Sequence, residues 1–267
     1  MDQNLLAVIV GIVEGLTEFL PVSSTGHMII VGHMLGFEGP LADVFDVFVQ
    51  LGAILSVIFI YKERFARFFT KDGWDANKGL SVWHVAAGIV PVMAVAFFLY
   101  KYIKAYLFSP FTVAIGLFLG GVLLMYAEHR TKGREAELVD DVDKISIKQA
   151  IWVGIYQFLS LWPGFSRSGS TIAGGLLVGL TRNAAANYTF LIAVPLMFVA
   201  CIYDLLKNLG SLSAGDLQVL AIGFVVSFVV AYASVLWFLK FLHKYDLTSF
   251  AVYRILLAGF TYWYFYL

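Results

Sequence analysis

The sequence predicts an all-α polytopic membrane protein, and three observations predict it. Of the 267 residues, 60% are apolar and only 13% charged, with a mean hydropathy of +0.83. A soluble domain averages about 25% charged residues, so the polar surface here is too small to cover a globule in water. Six apolar runs of spanning length, roughly 17 to 25 residues, lie near 44–61, 82–100, 111–127, 188–206, 217–239 and 250–267. Two further apolar regions, 5–37 and 147–180, are broken in the middle by polar and turn-forming residues.

The same composition excludes several classes. The 18 basic and 18 acidic residues cancel without forming a basic stripe, which argues against nucleic-acid binding and a polybasic surface role. The one cysteine, Cys201, lies in the run VPLMFVACIY and reads as a small buried residue, leaving no disulfide framework or thiolate cluster. The start MDQNLLAVIVGIVEG lacks a basic n-region and a small-residue cleavage site, so it is expected to be retained.

In the first broken region, the apolar stretch from Leu5 to Val13 leads to Glu14, Thr17 and Glu18, then PVSSTGH, then MIIVGHMLG. In the second, QAIWVGIYQFL leads to SLWPGFSRSGST and then IAGGLLVGL. Each flank, at about 9 to 15 residues, is roughly 14 to 22 Å of helix, short of the ~30 Å hydrocarbon core. Such segments read as re-entrant hairpins or discontinuous helices, tolerated where irregular backbone is buried in protein or lines a polar cavity.

A gap-free shift of 143 residues places Ala7 on Ala150, Gly11 on Gly154, Ser23 on Ser166, Gly26 on Gly169, Gly32 on Gly175 and Gly36 on Gly179. A fainter echo links SPFTVAIGLFLGG (109–121) with TSFAVYRILLAGF (248–260). The whole of 1–267 then reads as one membrane domain with halves of about 1–135 and 145–267, joined by a solvated linker over about 128–146. Each half is a re-entrant helical hairpin plus three transmembrane helices. Three is odd, so the second half enters from the opposite side, giving an inverted-topology repeat. Alternate connections carry 12 basic residues against 3, Lys101, Lys104 and Lys207, which places the richer loops in the cytoplasm and the mouth of the first hairpin outside.

The second limb of each hairpin starts as a helix N-terminus near the midplane, where free N–H groups and the dipole favour an anion. The starts, SSTGH (23–27) and SRSGST (166–171), are dense in hydroxyls, and Arg167 adds a fixed cation suited to phosphate. Ser23, Thr25, Ser166, Ser168 and Thr171 are therefore candidate phosphate ligands. Glu14 and Glu18, four apart, share one helix face; with Arg167 and a phosphate they could hold Mg²⁺ or Ca²⁺, which take oxygen ligands. One of them, or His27, could instead serve as general base on a serine. Plainer readings stand beside these: a structural ion pair of the acids with Arg167, N-capping by Ser23, Ser24 or Thr25, a core role for His27, and an acid or carbonyl partner for Arg254.

EGLTEFLPVSSTGH (14–27) and PGFSRSGSTI (163–172) resemble the two signature motifs of the BacA-type undecaprenyl-diphosphate phosphatases, and MIIVGHMLGFEG, FVQLGAILSV, FLIAVPLM and AVYR extend the likeness along the chain. The resemblance implies hydrolysis of the C55 lipid diphosphate to its monophosphate at the outer face of the bacterial inner membrane. That step recycles the carrier lipid for cell-wall synthesis, and its overproduction confers bacitracin resistance. It further implies a divalent cation, a homodimer, and functional positions at Glu14, Glu18, Ser24, His27, Ser166, Arg167 and Thr171. On that basis Ser24 is the expected nucleophile, with Glu18 or His27 taking its proton and His27 as the competing nucleophile. Lipid phosphatases with PSGH and SR-x5-H motifs are excluded, because no histidine follows Arg167 until His243. The alternative function is a secondary transporter or flippase for a phosphorylated polyprenyl lipid, since inverted repeats with broken helices also build transporters.

Overall fold

The computed structural model describes residues 2–208 and 216–267, and among them it is helical throughout, with a single isolated bridge between Val139 and Leu180. The first hairpin is α1 (Gln3–Thr17) and α2 (Ser24–Leu35). It is followed by α3 (Pro40–Ile60), the short α4 (Lys62–Phe68), α5 (Val82–Tyr106) and α6 (Pro110–Thr131). The second hairpin is α7 (Ile147–Tyr156), a 3-10 turn over Gln157–Leu161, and α8 (Arg167–Leu177). Then come α9 (Arg182–Asn208), α10 (Asp216–Leu242) and α11 (Thr248–Tyr266).

Local chemistry sets several of these limits. Capping boxes open three helices: Ser81 with His84 on α5, Ser109 with Thr112 on α6, and Ser146 with Gln149 on α7. His84 is thereby a capping residue. Gly36, with φ 65°, closes α2 in the left-handed conformation that favours glycine.

Among the described residues four helices, α5, α6, α9 and α10, are long and apolar enough to cross a bilayer, and α3 makes a fifth if it is taken with α4. Two of the six expected spans thus differ from the sequence reading. The first bends by 86° after Ile60, so that α4 with its Lys62, Arg64 and Arg67 leaves the α3 axis. The last, α11, has the length but carries Tyr253, Arg254, Tyr262, Trp263, Tyr264 and Tyr266, whose polar atoms lower its hydropathy. Exposed aromatic and aliphatic side chains such as Phe97 and Phe98 (81% and 77% exposed) and Leu256 give the helices an apolar outer surface of the kind that faces lipid. The chain is a multi-pass membrane protein.

The two hairpins pack in matching ways. α1 lies on α10, where a Cβ at Gly11 would press on the Gly223 carbonyl at 3.0 Å. α7 lies on α5, where a Cβ at Gly154 would press on the Gly88 carbonyl at 2.7 Å. Elsewhere α3 packs on both α9 and α10, and α6 on α11.

Polar contacts gather four connections on one face. Asp143 pairs with Arg64 at 2.9 Å and accepts the Leu80 N–H, tying the linker to the α4–α5 loop. Glu128, at the end of α6, holds Arg182 of α9 at 2.7 Å and accepts the Leu247 N–H ahead of α11. Thr181 donates to Asp140. Burial pushes the Asp143 carboxyl up, but the hydrogen bonds from Arg64 and the Leu80 N–H, with the charges of Arg64 and Arg67, outweigh it and hold it below its ordinary value. α7 begins on this face, its Gln149 amide donating to the Val178 carbonyl at the end of α8. α1 starts beside the start of α10, with Gln218 donating to Asn4, and runs parallel to it as far as Leu16, whose carbonyl accepts from Ser234.

Candidate active site

Both hairpin breaks turn into their second helix through a serine with positive φ. Ser23 (φ 72°) and Ser166 (φ 70°) are the only such non-glycine residues among those described. Each is the N-cap of the next helix: Ser23 Oγ accepts from the Gly26 N–H at 3.3 Å and Ser166 Oγ from the Gly169 N–H at 3.0 Å. A conformation that costs on the order of 1 to 3 kcal/mol persists where the surroundings over-determine it, as at functional sites. The capping alternative therefore holds for Ser23, while Ser24 and Thr25 start α2 itself.

The two breaks meet at Glu18. Its Oε2 accepts the Ser24 hydroxyl at 2.5 Å and its Oε1 pairs with Arg167 at 2.8 Å, so one carboxylate joins the first turn of α2 to the first turn of α8. Arg167 also donates to the Thr189 carbonyl at 3.4 Å, contacts the Met197 sulfur at 3.3 Å, and lies 5.5 Å from the centre of the Phe19 ring. Both partners are nearly out of solvent, the Arg167 side chain at 12% exposure and Glu18 at 7%. Ser168 reaches across to the first break, donating to the Leu20 carbonyl at 2.7 Å. Thr171, one turn into α8, donates to the Arg167 carbonyl at 2.9 Å and accepts from Thr189, so its hydroxyl fixes the arginine's backbone.

Glu14 is fully buried, and neither of its oxygens has a hydrogen-bond donor. Glu18 and Asp46 of α3 are its acidic neighbours. A buried carboxylate without a donor calls for a proton or a cation. Among the described residues no three His, Cys, Asp or Glu side chains group to hold a metal. The oxygen-only pair Glu14 and Glu18 nonetheless fits a hard divalent cation that takes its remaining ligands from substrate or water.

His27 faces away from this cluster. Its Nδ1 lies 2.7 Å from the Ser23 carbonyl and its Nε2 2.6 Å from the Tyr253 hydroxyl of α11. It lines, with Tyr253, Leu20 and Trp237, an apolar groove of about 770 Å³ between α1, α10 and α11. Arg254 is completely buried and donates to four carbonyls: Pro21 in the first break, Gly164 and Phe165 in the second, and Gly116 of α6. A Cβ at Gly120 would overlap its guanidinium, and one at Gly169 would lie 2.5 Å from it. Carbonyls rather than an acid thus partner Arg254, which clamps the two breaks together.

The sequence reading placed Glu14, Glu18, Ser24 and Arg167 in one site, and they come together. Ser23 and Ser166 enter it as caps, and Thr25 lies in the first turn of α2 beside Ser24. Asp46, expected as either polar lining or solvated rim, lies beside Glu14; Met197, Thr189 and Tyr253 were missed. Only Tyr253 carried a local signal, as the neighbour of Arg254 in AVYR.

The sequence model of the family described as bacitracin resistance protein BacA matches residues 7–260. Undecaprenyl-diphosphatase 1 of Bacillus thuringiensis (strain Al Hakam) is 45% identical over 259 residues, covering 97% of each chain. Undecaprenyl-diphosphatase 1 of Bacillus anthracis is likewise 45% identical over 259 residues. Undecaprenyl-diphosphatase of Solidesulfovibrio magneticus is 47% identical over 261 residues, again 97% of each chain.

Proposed function

The chain belongs to the bacitracin resistance protein BacA family, and from that premise we propose that it hydrolyses undecaprenyl diphosphate to the monophosphate and phosphate. The observation that carries the reading is the Glu18 bridge. One carboxylate holds a serine hydroxyl ready for deprotonation while orienting a guanidinium beside it. Phosphoryl transfer needs an in-line nucleophile and preorganised positive charge, with little else from the protein.

Ser24 Oγ attacks the terminal phosphorus as Glu18 takes its proton. The P–O bond to the bridging oxygen breaks and the lipid monophosphate leaves. Water then attacks the phosphoserine, releasing phosphate, and Glu18 returns its proton to Ser24. Arg167 and the first N–H groups of α2 and α8 face the developing charge, with the hydroxyls of Ser23, Thr25, Ser166, Ser168 and Thr171 shaping the two helix starts. Glu14 and Glu18 would hold a Mg²⁺ or Ca²⁺ ion, which supplies further positive charge to the phosphate oxygens. His27 is favoured neither as base nor as nucleophile, because a carbonyl and a phenol already occupy its two nitrogens.

The architecture of this reading is the inverted repeat, with halves of about 1–135 and 145–267. Three features support it: the matched serine caps, the matched glycine crossings of α1 on α10 and α7 on α5, and the starts of α1 and α7 on opposite faces. The face that gathers Arg64, Arg67, Arg130, Arg134 and Arg182 is then cytoplasmic, and the first hairpin opens outward from a bacterial inner membrane. A homodimer belongs to the same reading through the family.

Purified protein in detergent should release phosphate from undecaprenyl diphosphate, and Ser24→Ala should lower kcat on the order of 10⁴-fold or more. A trapped phosphoenzyme should carry its label on serine. Label on histidine would overturn the assignment of Ser24. A protein that moved the lipid across vesicles but released no phosphate would establish transport instead.

A further inference from the structure

Where α8 ends and the linker docks on it, the chain forms a polar pocket of about 400 Å³ that shares no residue with the phosphate site. Tyr126 and Arg130 line it from the end of α6, Arg134 from just beyond that end, and Tyr156 from α7. Phe118, Val122, Tyr126 and Arg130 each lie one turn from the next on α6, and all four are exposed. An apolar strip thus winds along the helix to an aromatic ring and then to a guanidinium. That order matches a lipid read from chain to headgroup.

Among the described residues Arg130 has no ion-pair or hydrogen-bond partner. Arg134 pairs with Glu137 at 2.7 Å, both side chains being exposed. Neither arginine is needed to satisfy the end of α8. The Gly175, Val178 and Gly179 carbonyls there already accept from the Leu180 N–H, the Gln149 amide and the Val139 N–H.

We propose that this pocket binds the headgroup of an anionic phospholipid, with Arg130 on its phosphate and an acyl chain along Phe118 and Val122. Basic pockets between helices on the cytoplasmic side hold anionic headgroups, and the proposed orientation makes this face cytoplasmic. An arginine fork matches phosphate oxygens, and Tyr126 and Tyr156 supply the rings that favour headgroup depth. The bound lipid joins α6 of the first half to α7 and α8 of the second.

The test is native mass spectrometry of the purified full chain in neutral detergent, titrated with phosphatidylglycerol or with phosphatidylcholine. The wild type should retain one phosphatidylglycerol more tightly than any phosphatidylcholine. Arg130→Gln should weaken that lipid about tenfold, the loss of one charged hydrogen bond to phosphate. Lys71→Gln, which removes an exposed charge from the α4–α5 loop, should leave it unchanged. Equal retention of the two lipids, an unweakened Arg130→Gln, or an equal loss in Lys71→Gln would each overturn the site. Excess inorganic phosphate should not displace the lipid; displacement that depended on Arg130 would make the ligand a free anion and sink the proposal. The readout contains no hydrolysis, so it stands or falls apart from the proposed activity.

Discussion

The two hairpins share a scaffold and divide the chemistry. In each, a close glycine crossing seats the first limb, at Gly11 and Gly154, and a serine with φ near 70° caps the second. Among the positions that differ along the 143-residue shift, four bear on the chemistry: Glu14 faces Gln157, Glu18 faces Leu161, Ser24 faces Arg167, and His27 faces Ser170. The first hairpin therefore keeps the acids, the hydroxyl and the imidazole, while the second supplies the cation. Backbone geometry that suits an anion is present twice, and the side chains that could react are present once. Duplication sets where the helix starts converge; divergence decides what they do.

If that division is right, removing the cation of the second hairpin should approach the effect of removing the nucleophile of the first. Arg167→Ala should lower kcat about 10² to 10³-fold and also free Ser24 from its fixed geometry, because Glu18 loses its second partner. Retention of near-full phosphate release by Arg167→Ala would break the comparison. A finer probe gives the first hairpin the second one's residue: Glu14→Gln, matching Gln157, should lower activity and weaken its dependence on added divalent cation. Titration of activity against Mg²⁺ after chelation reads the difference, and an unchanged cation dependence would take Glu14 out of the cation site.

The shared scaffold is tested by its caps. Ser23→Ala and Ser166→Ala should each cost about 1 kcal/mol from the lost N-cap, read as a lower midpoint of thermal unfolding in detergent. Glycine at either position should cost less, since it accepts positive φ without a Cβ. Unequal losses would mean that the two breaks are not equivalent structurally. The smallest effect lies outside both hairpins. The Asp143 carboxyl is held below its ordinary value, so its pairing with Arg64 contributes fully above the unfolded value and is lost as pH falls through the folded one. Asp143→Asn should thus lower thermal stability slightly at pH 7, and the difference should shrink as the pH falls through the depressed folded value.

Much of this was legible in the sequence, for definable reasons. Long apolar runs announce helices because the bilayer leaves the backbone no other way to satisfy itself, and the broken runs stood out against that grammar. The gap-free shift made the hairpins equivalent before their geometry was known, and the scarcity of charge made Glu14, Glu18 and Arg167 conspicuous. What could not be read was contact across distance. The Glu18–Arg167 pair spans 149 positions and the His27–Tyr253 pair 226, and no local pattern encodes either. The bend after Ile60 is a matter of helix direction, which composition averages away, whereas the weak hydropathy of α11 lay in its own tyrosines and Arg254.

The Arg254 clamp has a consequence for how the protein is made. Both breaks, at 18–23 and 161–166, leave the ribosome before Arg254 is translated. Until α11 enters the bundle, the carbonyls of Pro21, Gly164 and Phe165 lack their donor, and nothing from that helix ties one hairpin to the other. The Glu18–Arg167 and Ser168–Leu20 contacts can join the two breaks without it. α11 adds the last tie, one guanidinium that fixes the backbone of both hairpins together.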